Sequence, residues 1–204
     1  MARLLAYYAH PGHRHSQANR AMVEAARGVE GITFVDLYAD YPRFDIDVDR
    51  EQQRLLEHDV IVFQFPLFWY STPALIKEWQ DLVLEHGFAY GAGGDRLAGK
   101  RVQLAVTAAG STEAYSEQGY QHYPIRTFLT PFEQTARLCQ MEFSAPYVLY
   151  GSLHAPGDGR LAAHAEGYRK LLEALRDDRY DFAAACGEVV DCEHLPILSE
   201  AQHG

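Results

Sequence analysis

The run Val60-Ile61-Val62-Phe63-Gln64-Phe65, closed by Pro66, constrains the fold more than any other stretch of the chain. A strand with one wet face alternates apolar with polar residues, whereas a continuous Val, Ile and Phe run belongs to a strand buried on both faces. Such a strand needs helices above and below it, so the run predicts a central parallel strand in a layered α/β domain. Further strands are expected at Leu4 to Ala9, Ile32 to Leu37, Arg101 to Thr107 and Phe143 to Leu149. Helical spacing falls between them. The first helix takes Ser16 as N-cap and runs to about Arg27, and the second covers about Arg50 to Glu57. The third is capped by Ser71 or Thr72, has Pro73 near its first turn and ends by Gly87. The fourth spans Ile125 to Leu138, where Pro131 is expected to kink or restart it, and the fifth spans Leu161 to Leu175. Five β-α alternations predict a doubly wound, five-stranded parallel sheet with right-handed crossovers and helices on both faces. The domain is expected over residues 1–175, and the mixed, acidic residues 176–204 as a tail, irregular or packed on a partner subunit.

Composition narrows the class. A length of 204 residues suits one domain, and 48% hydrophobic residues argue against disorder. The net charge of -10 makes nucleic acid an improbable partner, and an acidic ligand would need a local basic patch. The chain has no signal-like start and no apolar run approaching about 18 residues, so it is expected to be cytoplasmic without direct membrane insertion. Cys139, Cys186 and Cys192 are odd in number and lack paired metal-site spacing, which predicts free thiols.

Three strand-ending loops carry the chemistry. His10 to Asn19 leads from the first strand into a helix whose free N–H groups, with Ser16, Gln17, Asn19 and a nearby His or Arg, suit a phosphate; an ordinary capped helix suits the same residues. His10, His13 and His15 have no carboxylate at ligand spacing, so no metal is expected. Leu67-Phe68-Trp69-Tyr70 puts four large side chains where turn residues belong, as a wall for a flat aromatic ligand or as a cover for the core. Thr107 to Ser111 ends the fourth strand with Gly110, which permits close backbone approach to a ligand or simply makes a turn. In a flavodoxin-like sheet of order 2-1-3-4-5, ligands bind outside the carboxyl ends of strands one and three, and these loops share that edge. Together they match the phosphate, ring and polar edge of a flavin. No G-x-G-x-x-G follows the first strand and no Walker loop occurs.

Ordered motifs extend this reading: Tyr8-Ala9-His10-Pro11, Ser16-x-Ala18-Asn19, Gln64-Phe65-Pro66-x-x-Trp69-Tyr70-Ser71-x-Pro73-Ala74-Leu75-x-Lys77, His86-Gly87-Phe88-Ala89-Tyr90-Gly91 and Leu97-x-Gly99-Lys100. In these the chain resembles the flavodoxin-fold NAD(P)H:quinone oxidoreductases, most closely the ancillary flavoproteins of bacterial Kef-type glutathione-gated potassium efflux systems. The resemblance covers about Leu4 to Leu175. It implies FMN, with FAD as the alternative, held by His10, by Ser16, Gln17, Ala18 and Asn19, by Leu67, Phe68, Trp69 and Tyr70, and by Thr107, Ala108, Ala109 and Gly110. The last four stand where the family has Thr-Thr-Gly-Gly, which alters side chains and flexibility but leaves backbone N–H groups. A Tyr, with a His six residues later, supports the reaction in the family; Tyr115 matches the first, whereas position 121 is Gln and His122 is adjacent. Tyr90 resembles a tyrosine of the quinone site, which Tyr115 also lines. The implied activity is ping-pong two-electron transfer from NADH or NADPH to a quinone or similar electrophile, in a homodimer. The other reading is a regulatory subunit of a potassium efflux transporter, held at the inner membrane through that partner.

Overall fold

The computed structural model describes residues 1–199. Four strands form as the apolar runs require: β1 (Leu4–Tyr8), β2 (Ile32–Asp36), β3 (Val60–Pro66) and β4 (Arg101–Thr107). All pair in parallel, in the order β2-β1-β3-β4, and the far edge is filled by β5 (Glu142–Phe143) and β6 (Tyr147–Leu149), both paired with β4. The five-stranded order 2-1-3-4-5 therefore holds, with one correction. The single fifth strand expected over Phe143 to Leu149 is broken at Ser144–Pro146, because Pro146 has no N–H and the Ala145 N–H leaves the ladder for the Ala185 carbonyl at 2.9 Å.

The helices are α1 (Gln17–Arg27), α2 (Leu37–Asp40), α3 (Val48–Glu57), α4 (Ala74–Val83), α5 (Ile125–Leu138), α6 (Ala155–Asp158) and α7 (Arg160–Arg176). Leu37 ends no strand; it opens α2, because the Asp36 side chain accepts from the Tyr38 and Ala39 N–H groups. Asp47 caps α3 in the same way, so the helix begins at Val48, two residues ahead of the expected start. Neither Ser71 nor Thr72 caps α4, whose N-cap is Pro73. Helix α5 runs through Pro131 without restarting.

Pleating divides the core. Leu5 and Tyr7 of β1 and Ile61, Phe63 and Phe65 of β3 meet Trp79 of α4 and Phe132 of α5, while Leu4, Ala6, Val60 and Val62 meet Met22 of α1 and Leu171 and Leu172 of α7. Inside the sheet, Gln103 of β4 donates from Nε2 to the Ala145 carbonyl at 2.9 Å, while its Oε1 is buried without a partner among the described residues. After α7 the described residues are irregular, and Tyr180, Ala185 and Val190 bury themselves in the α1/α7 half of this chain's own core. Residues 200–204 of the expected tail lie outside the described residues.

Glu51 of α3 is fully buried, which its position on a charged helix does not suggest. Its carboxyl group accepts from the Tyr7 and Tyr41 hydroxyls at 2.5 Å and from the Trp79 indole N–H at 3.0 Å, and it meets Arg54 at 2.6 Å. That hub ties α3 to β1, α4 and the β2–α3 connection. Glu51→Ala leaves three buried donors and a guanidinium without their acceptor, so it is expected to lower unfolding stability by about 3 kcal/mol in a urea titration. A loss below about 1 kcal/mol would refute the hub's structural role.

Candidate functional site

Beyond the carboxyl ends of β1, β3 and β4 lies a cavity of about 440 Å³, within the size range of small-molecule sites. One side is the start of α1. Ser16 is its N-cap: the Ser16 hydroxyl accepts from the Asn19 N–H at 3.2 Å and from Asn19 Nδ2 at 3.1 Å. The N–H groups of Gln17 and Ala18 belong to the first turn, beyond the reach of intrahelical acceptors, and both residues line the cavity. They form a ready anion site.

Asn19 ties this start to the sheet. Its Nδ2 also donates to Thr107 Oγ1 at 2.9 Å, and its carbonyl accepts from Gln64 Nε2 at 3.2 Å. Gln64 Oε1 remains a buried acceptor without a partner among the described residues. The ends of β3 and β4 are thereby fixed relative to one helix start.

His10 adds a donor. It is 8% exposed, and its Nδ1 accepts from the Gly12 N–H at 3.0 Å, which leaves Nε2 to carry the proton of the neutral ring. Burial, and then the neighbouring His13, lower its pKa, so the ring is neutral near pH 7. His13 is itself occupied, with Nδ1 2.7 Å from the Tyr8 hydroxyl. Among the described residues no cluster of three His, Cys, Asp or Glu residues could hold a metal.

The opposite wall is Leu67, Phe68 and Ala109, and Phe68 meets His10 edge-on at 5.5 Å. The aromatic loop does not act as one surface. Phe68 and Ser71 exchange backbone hydrogen bonds at 2.9 and 3.0 Å around a two-residue turn in which Trp69 and Tyr70 both have positive φ. Trp69 is consequently 92% exposed, and Tyr70 turns the other way to pack its ring, tilted by 32°, against Phe128 of α5 at 5.0 Å. Ala108 is buried, its N–H held by the Leu149 carbonyl at 2.9 Å. The N–H groups of Ala109 and Gly110 have no acceptor within the chain among the described residues.

Tyr115 lies over Gly110, where an added Cβ would come within 2.9 Å of its ring. Burial, then Tyr120 and Tyr70, raise the Tyr115 pKa, so its hydroxyl stays protonated and can donate. His122 is exposed in a left-handed conformation, and no hydrogen bond or ring contact joins it to Tyr115 among the described residues. Tyr90 lines a second cavity of about 460 Å³ between α4 and α5, with Lys77, Phe128 and Cys139. Ser152, Leu153 and Pro156 complete the first cavity, and the sequence offered little notice of them beyond a short polar connection after a strand end.

The family described as flavodoxin-like fold matches residues 2–172. The chain belongs to that family. It is 44% identical over 171 residues to the glutathione-regulated potassium-efflux system ancillary protein KefG of Enterobacter sp. (strain 638), covering 84% of this chain and 93% of that protein. Among solved structures, general stress protein 14 of Treponema denticola, in complex with FMN, is similar with a TM-score of 0.79 and 34% identity, over 85% of this chain and 99% of that one. An NADPH-quinone reductase from P. pentosaceus is similar with a TM-score of 0.70 and 27% identity, over 82% and 97%.

The Asn19 tie gives this family member a measurable signature. In a double-mutant cycle of Asn19→Ala with Thr107→Val, unfolding free energies should return a coupling of about 1 kcal/mol. A coupling within about 0.3 kcal/mol of zero would show that the two side chains act independently.

Proposed function

We propose that the chain is a flavin-dependent NAD(P)H:quinone oxidoreductase that uses FMN. The observation that carries this reading is the cavity's donor set: an α1 N-terminus with Ser16, a buried neutral His10, and Ala109 in the lining with an unengaged N–H, followed in the chain by the equally unengaged N–H of Gly110. These groups fit a ligand with an anionic end and a ring edge bearing acceptors. The FMN-bound Treponema protein and the quinone reductase from P. pentosaceus support the same choice. Bound FMN supplies hydride transfer from a nicotinamide donor and onward to a quinone.

The chain's own part is placement and polarity. Ser16, Gln17 and Ala18 would hold the phosphate, with Asn19 fixing Ser16 from behind and His10 donating from Nε2 beside them. Phe68, with Leu67, bounds the ring and excludes water. The Ala109 and Gly110 N–H groups, with the protonated Tyr115 hydroxyl above Gly110, stabilise negative charge at the ring's polar edge. Substrate approaches along the face where Tyr115 and Tyr70 lie near each other; His122 and Tyr90 reach it after a local movement or from the second subunit of a homodimer. Exposed Trp69, Tyr120 and Tyr123 around that face support such a dimer.

A second reading is favoured by the likeness to KefG, an ancillary protein of a potassium-efflux system. Here the chain regulates a transporter and its redox activity is secondary. Among the described residues no helix is long and apolar enough to cross a membrane, so membrane association in this reading runs through the partner.

Anaerobic stopped-flow absorbance distinguishes the two. Protein reconstituted with FMN should bleach rapidly with NADPH or NADH and recover rapidly with a benzoquinone. Stable FMN binding without bleaching by either nucleotide overturns the oxidoreductase reading and leaves the regulatory one. Ser16→Ala should weaken FMN binding at least tenfold, beyond the roughly 1 kcal/mol it takes from helix stability, whereas Tyr115→Phe should slow bleaching severalfold and leave folding unchanged. FMN affinity unaltered in Ser16→Ala would remove α1 from the site.

A further inference from the structure

The segment after α7 lies beyond residues 2–172, the part matched by the family, and it is seated closely. Its ends fold back on each other: Asp181 N–H donates to the Pro196 carbonyl at 2.9 Å, and Leu198 N–H to the Arg179 carbonyl at 2.8 Å. Its middle adds to the sheet edge, with Val190 bridging Tyr147 in parallel and donating to the Pro146 carbonyl at 2.9 Å. Cys192 rests directly on α7, where a Cβ at Gly167 would lie 2.5 Å from the Cys192 Cβ. Only glycine admits this approach.

Beneath the segment is a buried polar group with no partner. His164 of α7 is 2% exposed and stacks on Tyr147 of β6 at 4.3 Å, and its Nε2 has no hydrogen bond among the described residues, nor has the Tyr168 hydroxyl one turn on. The charged and titratable groups that face it are Arg160 and Tyr168 from α7, Tyr147 from β6, and Asp191 and Cys192 from the segment. The same elements reach the cavity. Leu149 of β6 packs with Ala18 and Ala155, Arg160 donates to the Tyr150 carbonyl at 2.8 Å, and Ser152 N–H donates to the Ala108 carbonyl at 2.9 Å.

We propose that residues 177–199 form a proton-sensitive strap, which when closed buries His164 and braces the 151–156 wall of the cavity, and which opens when His164 takes up a proton. Burial is the main cause that lowers the His164 pKa to about 3; Asp191 of the strap opposes that shift and Arg160 adds to it. An open strap returns the ring toward water and an ordinary histidine pKa of about 6.5. A pKa lowered in the closed state means that closure is fully favoured above about pH 6.5 and weakens as pH falls toward 3. Between pH 7.5 and pH 5 the closing equilibrium should fall about 30-fold, one proton being taken up on opening. The inference concerns the wall itself and holds for any ligand in the cavity.

Amide hydrogen exchange of the full chain, corrected for the intrinsic rate at each pH, tests it. Peptides over residues 186–194 and 151–156 should lose protection together at pH 5, by up to about 30-fold. His164→Phe keeps the stack on Tyr147 without a titrating group and should show no such loss, and His164→Gln is the second neutral replacement should the first fail to fold. Gly167→Ala should open the strap at both pH values. Equal protection of the strap at pH 7.5 and pH 5, or undiminished pH dependence in both histidine variants, overturns the proposal; a strap that opens while residues 151–156 stay protected overturns the bracing.

Discussion

Burial of β3 on both faces is the constraint from which the rest of the structure follows. A strand with no wet face cannot carry polar function along its length, so polar side chains gather where it ends. Gln64 is the transition point: fully buried, in the last register pair of β1 with β3, it donates to the Asn19 carbonyl while its backbone carbonyl accepts from the Ala9 N–H. Asn19 then takes Thr107 as well. Two neutral amides and a hydroxyl thus set the spacing between α1 and the ends of β3 and β4, and each bond is worth about 1 kcal/mol against a larger penalty for leaving a buried amide unpaired. The geometry is held by that asymmetry more than by the bonds' own strength.

Charge works locally against the global balance. The chain carries a formal net charge of -10, yet among the described residues the cavity is lined by a helix N-terminus, His10 and His15 and by no carboxylate. A helix terminus contributes only about 0.3–1 kcal/mol toward an anion at an exposed site. Direct donation from the first-turn N–H groups and from His10 must therefore supply most of the recognition. The lowered His10 pKa has the same consequence: a neutral ring contributes a directed hydrogen bond in place of a charge, and acidification strengthens its attraction for an anion.

Legibility in the sequence followed the physics of each element. Strands β1 and β3 announced themselves because burial on both faces makes them nearly continuous apolar runs, β4 did because its apolar residues flank only a single interior polar position, Gln103, and α1 did because Ser16 stands at its start. The fifth strand did not, since Ser144–Pro146 reads as apolar enough to continue, while its pairing depends on an N–H that Pro146 lacks and on a distant carbonyl at Ala185. Glu51 was invisible for a different reason: one acid among several on α3 looks solvated, and its partners Tyr7, Tyr41 and Trp79 come from three other places in the chain. The cavity's loops after β1, β3 and β4 were readable from the strand order, but Ser152, Leu153 and Pro156 enter through β6, whose position follows from the break. The seat of the last described residues on α7 depends on Gly167, one glycine in a helix, which sequence alone marks only as a weak helix former.

The turn at Trp69 and Tyr70 shows what the fold leaves unexplained. Both residues stand at positive φ, at 47° and 64°, in a two-residue turn that Asn-Gly would make with little strain. A left-handed conformation costs about 1–2 kcal/mol for a residue with a full side chain. For Tyr70 the ring contact with Phe128 offsets much of this, since aromatic pairs are worth about 0.5–1.5 kcal/mol. Trp69 has no such compensation: its ring is 92% exposed and makes no ring contact among the described residues. A glycine at position 69 would make the same turn without that cost and present Phe68 to the cavity and Tyr70 to α5 equally well. Trp69 therefore holds its ring out beside Phe68 and the cavity at a backbone cost that no ring contact among the described residues offsets.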